Sequence, residues 1–157
     1  TIATAQIDFY SAGKFDLEFT NEKGEKEKPV IIHRAIMGSF ERFFAFLTEQ
    51  TAGAFPIWLS PIQVKILPVS EKQLAYAKTI AQEFLSAGIR YELDQSDHPL
   101  GKKIRNAKMQ KPPYILVIGA KEEEAKNITA EKREGGSEQM DIQTFKTKIL
   151  SEISDRI

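Results

Sequence analysis

The chain of 157 residues has no cysteine, which excludes disulfides and thiolate metal sites within it. Histidine is nearly as scarce, with two, so an imidazole-based metal centre made from this chain alone is short of ligands. Neither sign of charge predominates. Twenty-two basic residues offset 22 acidic ones, so a nucleic-acid site would have to be a local patch. No apolar run approaches the ~20 residues of a membrane span. No basic, apolar, small-residue leader marks a secretory signal. Repeats and low-complexity segments are absent as well. The lack of cysteine fits a cytoplasmic protein. What remains is ordinary: 41% hydrophobic and 28% charged residues, a soluble globular composition with enough length for one domain.

Periodicity divides the chain. Ala5, Ile7 and Phe9 alternate with polar residues and predict a strand, as do Phe15, Leu17 and Phe19. Val30 to Ile32 predicts a third strand after a charged turn. Three strands and one helix bury little apolar surface, so this part reads as the tail of a larger domain. Gly53, Pro56 and Pro61 mark a boundary, with Phe55 and Trp58 expected to pack there. Beyond it, strands and helices alternate. Ile62, Val64 and Ile66 predict a strand. Ser70 and Gln73 form a capping-box pattern before a helix with Leu74, Ala77, Ala81 and Phe84 inward and Gly88 as its C-terminal cap. Ile89, Tyr91 and Leu93 predict the next strand, and Pro99 the first position of a basic helix that Pro112-Pro113 stops. Tyr114 to Ile118 reads as a central strand buried on both faces, and Ile128 to Lys132 as its hairpin partner. Asp141 is placed to cap a last helix whose buried face holds Ile142, Phe145, Ile149 and Ile153. The order β-α-β-α-β-β-α implies an α/β domain with a parallel or mixed sheet.

The most informative stretch is His33-Arg34-Ala35-Ile36-Met37-Gly38-Ser39-Phe40-Glu41-Arg42-Phe43-Phe44. It runs from a strand end through Gly38-Ser39 into an apolar helix. Ser39 suits the N-cap. Arg42 opposes the helix dipole in the first turn, a cost that a bound anion would offset. Two readings stand: a solvated Arg42 with an ordinary strand-end His33, or two sides of a phosphate site.

This stretch, with Pro29 to Ile32 before it and Leu47-Thr48-Glu49 and Gly53 to Val64 after it, resembles the third signature motif of threonyl-tRNA synthetases and its flanks. The resemblance runs more weakly to the end of the chain. His-Arg-Ala followed by Gly-Ser-x-Glu-Arg points to the threonyl enzymes over their prolyl, histidyl and glycyl relatives. It implies an anticodon-binding α/β domain over 56–157, with a mixed sheet flanked by helices. Before it, over 1–55, would stand the last part of an antiparallel-sheet α+β class II catalytic domain. The implied function is that of a threonyl-tRNA synthetase fragment whose parent activates threonine with ATP and Mg and attaches it to tRNA. By itself the fragment is expected to be inactive. In the family Arg42 matches the catalytic arginine on ATP phosphate, and Ser39 and Gln6 match the ATP and threonine pocket. His33 matches a zinc ligand whose partner ligands are absent from this sequence, so His33 alone is expected to hold no zinc tightly. The family forms homodimers through its catalytic domain. Alternatives are a stand-alone RNA-binding module of the anticodon-domain type and a prolyl-type synthetase fragment.

The basic helix offers Lys102, Lys103, Arg105, Lys108 and Lys111 with no acid among them. Such a helix can neutralise phosphates, or simply face solvent. Gly101-Lys102-Lys103-Ile104-Arg105 matches the family's Gly-x-Lys-Ile-Arg, which makes Lys103 and Arg105 candidates for the anticodon loop. Glu122 matches a glutamate near the anticodon, and a carboxylate can accept a base proton. Several positions depart from the family. Glu131 stands where an arginine reads an anticodon base, and Arg133, two residues on, would share its strand face. Asp97 stands where many members have Asn, Ser96 where many have Arg, and Thr1 where a second glutamine is usual. The loop 11–15 lacks a proline usual there. His98 reads as a surface residue.

Overall fold

The computed structural model describes residues 3–156. Thr1, with its departure from the family glutamine, lies outside the described residues. The chain forms two compact units, Thr1–Gln50 and Thr51–Ile157. Among the described residues no helix is long and apolar enough to cross a membrane.

In the first unit, β1 (Thr4–Asp8) pairs antiparallel with β4 (Ile31–Ala35), with Gln6 opposite His33. The chain turns after β1 because the Asp8 carboxylate accepts from the N–H groups of Tyr10 and Ser11 at 2.8 and 2.9 Å and from the Ser11 hydroxyl at 2.5 Å. Such a side-chain turn competes with strand continuation and starts the short helix α1 (Ser11–Lys14). Asp16 then takes a left-handed φ of 54°, and Leu17 N–H bonds back to Ala12 C=O at 2.9 Å. The strand expected from Phe15 therefore shrinks to β2 (Phe19–Thr20), paired with β3 (Lys26–Glu27). Two separate two-stranded ribbons stand where one three-stranded sheet was expected. The helix α2 (Phe40–Thr51) follows Gly38, whose φ of 65° only glycine adopts without strain.

The second unit has a mixed five-stranded sheet in the order β6-β5-β7-β8-β9. The elements are β5 (Val64–Pro68), a 3-10 turn (Glu71–Gln73), α3 (Leu74–Ser86), β6 (Tyr91–Leu93), α4 (Leu100–Met109), β7 (Tyr114–Ile118), α5 (Ala120–Ala125), β8 (Asn127–Lys132), β9 (Ser137–Asp141) and α6 (Ile142–Ser154). β5 runs parallel to β6 and β7, and β8 and β9 are antiparallel. One sheet face carries Val64, Ile66, Leu116, Ile118, Ile128 and Ala130 against Ala77, Ile80 and Phe84 of α3 and Phe145 and Ile149 of α6. The other face packs Leu67 and Ile115 against Leu100, Ile104 and Ala107 of α4.

Local details follow the physics with some corrections. Gly88 caps α3 at φ 73°, with Gly88 N–H on Leu85 C=O and Ile89 N–H on Phe84 C=O at 3.1 and 3.0 Å. Asp141 caps α6 by accepting from Thr144 N–H at 2.9 Å. Ser70 does not close a capping box. Its hydroxyl donates to the Gln73 side-chain oxygen at 2.7 Å, and a 3-10 turn begins the helix. Pro99 is the N-cap of α4, in extended conformation, rather than its first helical residue. β9 and α5 lie where the sequence pattern predicted no element.

Candidate nucleic-acid interface

Beside α4, the sheet face is polar. Ile115 is opposite Glu131 and Val117 opposite Thr129, so Glu131 and Thr129 emerge on the α4 side while Ile128 and Ala130 enter the core. Across the next pair, Thr129 faces Gln139 and Glu131 faces Ser137. The result is a polar shelf at β8 and β9, bordered by the basic helix.

The α4 cations divide by helical spacing. Leu100, Lys103, Ile104 and Ala107 share the inward stripe, and Lys103 is 5% exposed, its ammonium donating to Pro68 C=O at 3.2 Å. Arg105 and Lys102 are exposed and have no side-chain partner among the described residues. Lys108 donates to Glu131 at 2.6 Å.

Lys103 and Asp97 border a cleft of about 410 Å³ at the C-terminal ends of β5 and β6. The chain order explains it. From β5 the path goes through α3 to β6 on one side, then through α4 to β7 on the other, and loops that part in this way leave a crevice beyond the strand ends. Asp94 shapes the second loop by accepting from Ser96 N–H and hydroxyl at 2.9 and 2.6 Å. Its burial works against ionisation, but those bonds and the nearby Lys103 and Lys65 hold its pKa below the ordinary value. Asp97 and His98 are exposed on the rim.

Glu122 has two protein partners. It accepts from Gly119 N–H at 2.9 Å, capping α5, and from the Thr129 hydroxyl at 2.8 Å. Burial raises its pKa, but the Thr129 and backbone bonds outweigh burial and the net shift is downward. A carboxylate with a depressed folded pKa stabilises fully above its unfolded value, near 4.5, and loses that contribution as pH falls through the folded value. Glu122→Ala is expected to cost about 1 kcal/mol, the usual loss of an N-terminal cap. Glu122→Gln should recover most of it, and wild type should lose its advantage over Glu122→Gln in acid. Urea midpoints at pH 7 and pH 3 check both.

Arg133 does not share the Glu131 position. It lies past the end of β8, and its guanidinium donates to Phe55 C=O at 2.9 Å, to Lys111 C=O at 3.2 Å and to Glu134 at 3.0 and 3.2 Å. No local pattern announces the two backbone acceptors, which come from 78 and 22 residues away.

In the first unit, Gln6 and His33 are exposed cross-strand neighbours. His33 donates from Nε2 to Asp8 at 2.9 Å. Asp8 is held well below the usual carboxylate range, mainly by the Ser11 hydroxyl and N–H, then by His33 and Tyr10. Because a carboxylate only accepts, Nε2 is the nitrogen that carries the proton of that contact. Among the described residues, however, no three metal-ligating side chains converge. The residues present do not make a zinc site. Ser39 caps α2 by accepting from Arg42 N–H at 3.3 Å, and the Arg42 side chain is exposed with no partner among the described residues.

A sheet with parallel strands, a crevice at its strand ends and a basic helix beside a polar shelf define a mixed α/β domain with one charged, polar surface. The family model described as Anticodon binding domain matches residues 63–152, and the chain belongs to that family. The domain is of the threonyl-tRNA synthetase kind. The chain is 46% identical over 156 residues to threonine–tRNA ligase 2 of Bacillus subtilis (strain 168), covering 98% of this chain and 24% of that protein. It is 40% identical over 157 residues to the threonine–tRNA ligase of Rubrobacter xylanophilus, covering 99% and 25%. The crystal structure of the RNA binding domain of threonyl-tRNA synthetase from Cryptosporidium parvum Iowa II matches with a TM-score of 0.78 and 36% identity, over 95% of this chain and 38% of that one. The chain thus spans about a quarter of the length of the curated relatives it matches.

Proposed function

We propose that this chain is a portion of a threonine–tRNA ligase in which the second unit reads the anticodon loop of tRNA. Residues 1–55 are then the end of the catalytic domain and 56–157 the anticodon-binding domain. The observation that carries this reading is the basic helix α4 set beside a polar sheet face. Exposed cations there can track phosphates while carboxylates, hydroxyls and amides of the shelf meet unpaired bases. Asp97, Lys103, Arg105 and Glu122 lie on or beside this surface. Arg133 contributes by holding backbone in place.

Within the first unit, Arg42 is the phosphate-contacting residue for ATP, which arrives with Mg, and Ser39 and Gln6 line the threonine and ATP pocket. The exposed guanidinium at a helix start favours that role for Arg42. His33 serves as a zinc ligand only together with residues outside this chain. The whole protein acts as a homodimer that joins threonine to tRNA.

A threonine-anticodon stem-loop titrated against a scrambled loop at two salt concentrations tests the RNA reading. Selective, salt-sensitive binding is expected, and equal weak binding of both loops contradicts it. Threonine-dependent ATP–pyrophosphate exchange by this chain alone is expected to be undetectable, because motif three is only part of the catalytic apparatus.

A further inference from the structure

A second cleft, of about 320 Å³, opens at the other end of α4. Four cations line it: Lys108, Lys111, Lys132 and Arg133. Three of them have a carboxylate partner. Lys108 is paired with Glu131 at 2.6 Å, Lys132 with Glu152 at 3.9 Å and Arg133 with Glu134 at 3.0 Å. Lys111 differs. It is exposed, and the one partner of its ammonium among the described residues is the neutral Ala52 C=O, at 2.6 Å. An anion entering the cleft meets least competition there. A phosphate oxygen attracts a charged donor more strongly than a carbonyl does, whereas at the other three cations it would have to displace a carboxylate.

Both ends of the Lys111–Ala52 bond are conformationally costly. Lys111 has φ 53° and Ala52 φ 50°, the left-handed region that residues with a Cβ avoid. Such backbone persists where its neighbours hold it, and it gathers at switch segments. The Arg133 guanidinium adds a second link, donating to Lys111 C=O at 3.2 Å and to Phe55 C=O at 2.9 Å. Residues 52–55 are thus fastened to the wall of the cleft. Residues 57–60 are fastened elsewhere. Gln63 and Arg90 hold their carbonyls, and Ile57 is buried in the core.

We infer that Lys111 is a switch between two acceptors: the Ala52 carbonyl in the free chain, and a phosphodiester oxygen when an RNA strand lies in the cleft. Binding draws the ammonium off Ala52. Residues 52–55, the stretch that follows the first unit, then come loose while 57–60 stay fixed. The switch rests on the RNA reading proposed above. It adds a response of the protein to the bound strand and reads no base.

The test follows amide hydrogen exchange by NMR in the whole chain, with and without the threonine-anticodon stem-loop at low salt. Ala54 N–H, bonded to Thr51 C=O at 2.9 Å, reports on the first half of the segment, and Ser60 N–H, bonded to Pro56 C=O at 2.9 Å, on the second. On saturation with the stem-loop, exchange at Ala54 should speed up about tenfold, the effect of losing one hydrogen bond from a charged donor, while Ser60 stays within about twofold. Lys111→Met should reach the faster Ala54 exchange without RNA, and RNA should then add less than about twofold. Lys102→Gln removes a charge from the same helix, so it should need more RNA to saturate but then give the wild-type response. Three results overturn the switch: the stem-loop binds and Ala54 exchange does not change, Lys111→Met leaves the free chain as it was, or both halves loosen together, which would be a general loss of stability. A stem-loop that does not bind at all removes the anticodon reading itself, and the switch with it.

Discussion

Phe145→Ala is expected to remove about 3–5 kcal/mol from the second unit, the range for truncating a buried phenylalanine. Phe145 is fully buried on α6, edge-on to Tyr114 at 5.2 Å and tilted against Phe84 at 5.8 Å between ring centroids. It therefore joins α6, α3 and the central strand at one point. The cavity would lie among rings that sit on three different elements, so it cannot close by a single side-chain rotation. Against a total of about 5–15 kcal/mol for a typical domain, such a loss is a large fraction. Urea unfolding followed by far-UV circular dichroism should show a lower midpoint with an unchanged slope. Met109→Ala is the control. Met109 is 72% exposed at the end of α4, and its loss should change stability by no more than about 0.5 kcal/mol. Similar costs for the two variants would contradict this core.

The second large effect is on RNA. Lys102→Gln with Arg105→Gln removes the two exposed α4 cations that lack a protein partner among the described residues. If each neutralises a phosphate of a single strand, the slope of log affinity against log salt should become shallower by about 1.4. The urea midpoint should hardly move, because neither side chain is buried. Lys103→Met should behave in the opposite way. It leaves the Pro68 carbonyl without its donor in a buried place, so stability falls by about 1–3 kcal/mol while the salt slope changes little. An equal change of slope for both variants would mean that the helix meets RNA in another orientation.

These contrasts show what the sequence could reveal. The helices α3, α4 and α6, the strands β5, β6 and β7, and the caps at Gly88 and Asp141 were legible, because apolar spacing and cap chemistry agreed there. β9 was not. Its residues, Ser-Glu-Gln-Met-Asp, have no apolar alternation, since as an edge strand it is held by ladder bonds to β8. α5 was missed because it has only six residues, and its signal is the single bond from Gly119 N–H to Glu122. The strand expected at Phe15 failed because Asp8 turns the chain through its own side chain. At the candidate site, the basic helix was legible as a patch. The inward direction of Lys103 was also present in the spacing of Leu100, Lys103, Ile104 and Ala107, but the run of cations concealed it. The partners of Arg133 and Glu131 depend on how distant segments meet, and no local pattern carries that.

Five carbonyls within residues 52–60 are held by side chains from across the second unit. Lys111 takes Ala52, Arg133 takes Phe55, Gln63 takes Ile57, and Arg90 takes Trp58 and Ser60, while the Arg156 guanidinium lies 5.7 Å from the centre of the Trp58 ring. By pattern these residues look like a tether, yet they behave as an extra layer of the domain. A shortened protein beginning at Pro61, where the alternating pattern starts, would leave the Lys111 and Arg90 cations and the Gln63 amide donor without these acceptors, would cost Arg133 one of its acceptors, and should aggregate or unfold early. One beginning at Thr51 keeps every one of these bonds and is the shorter piece worth expressing.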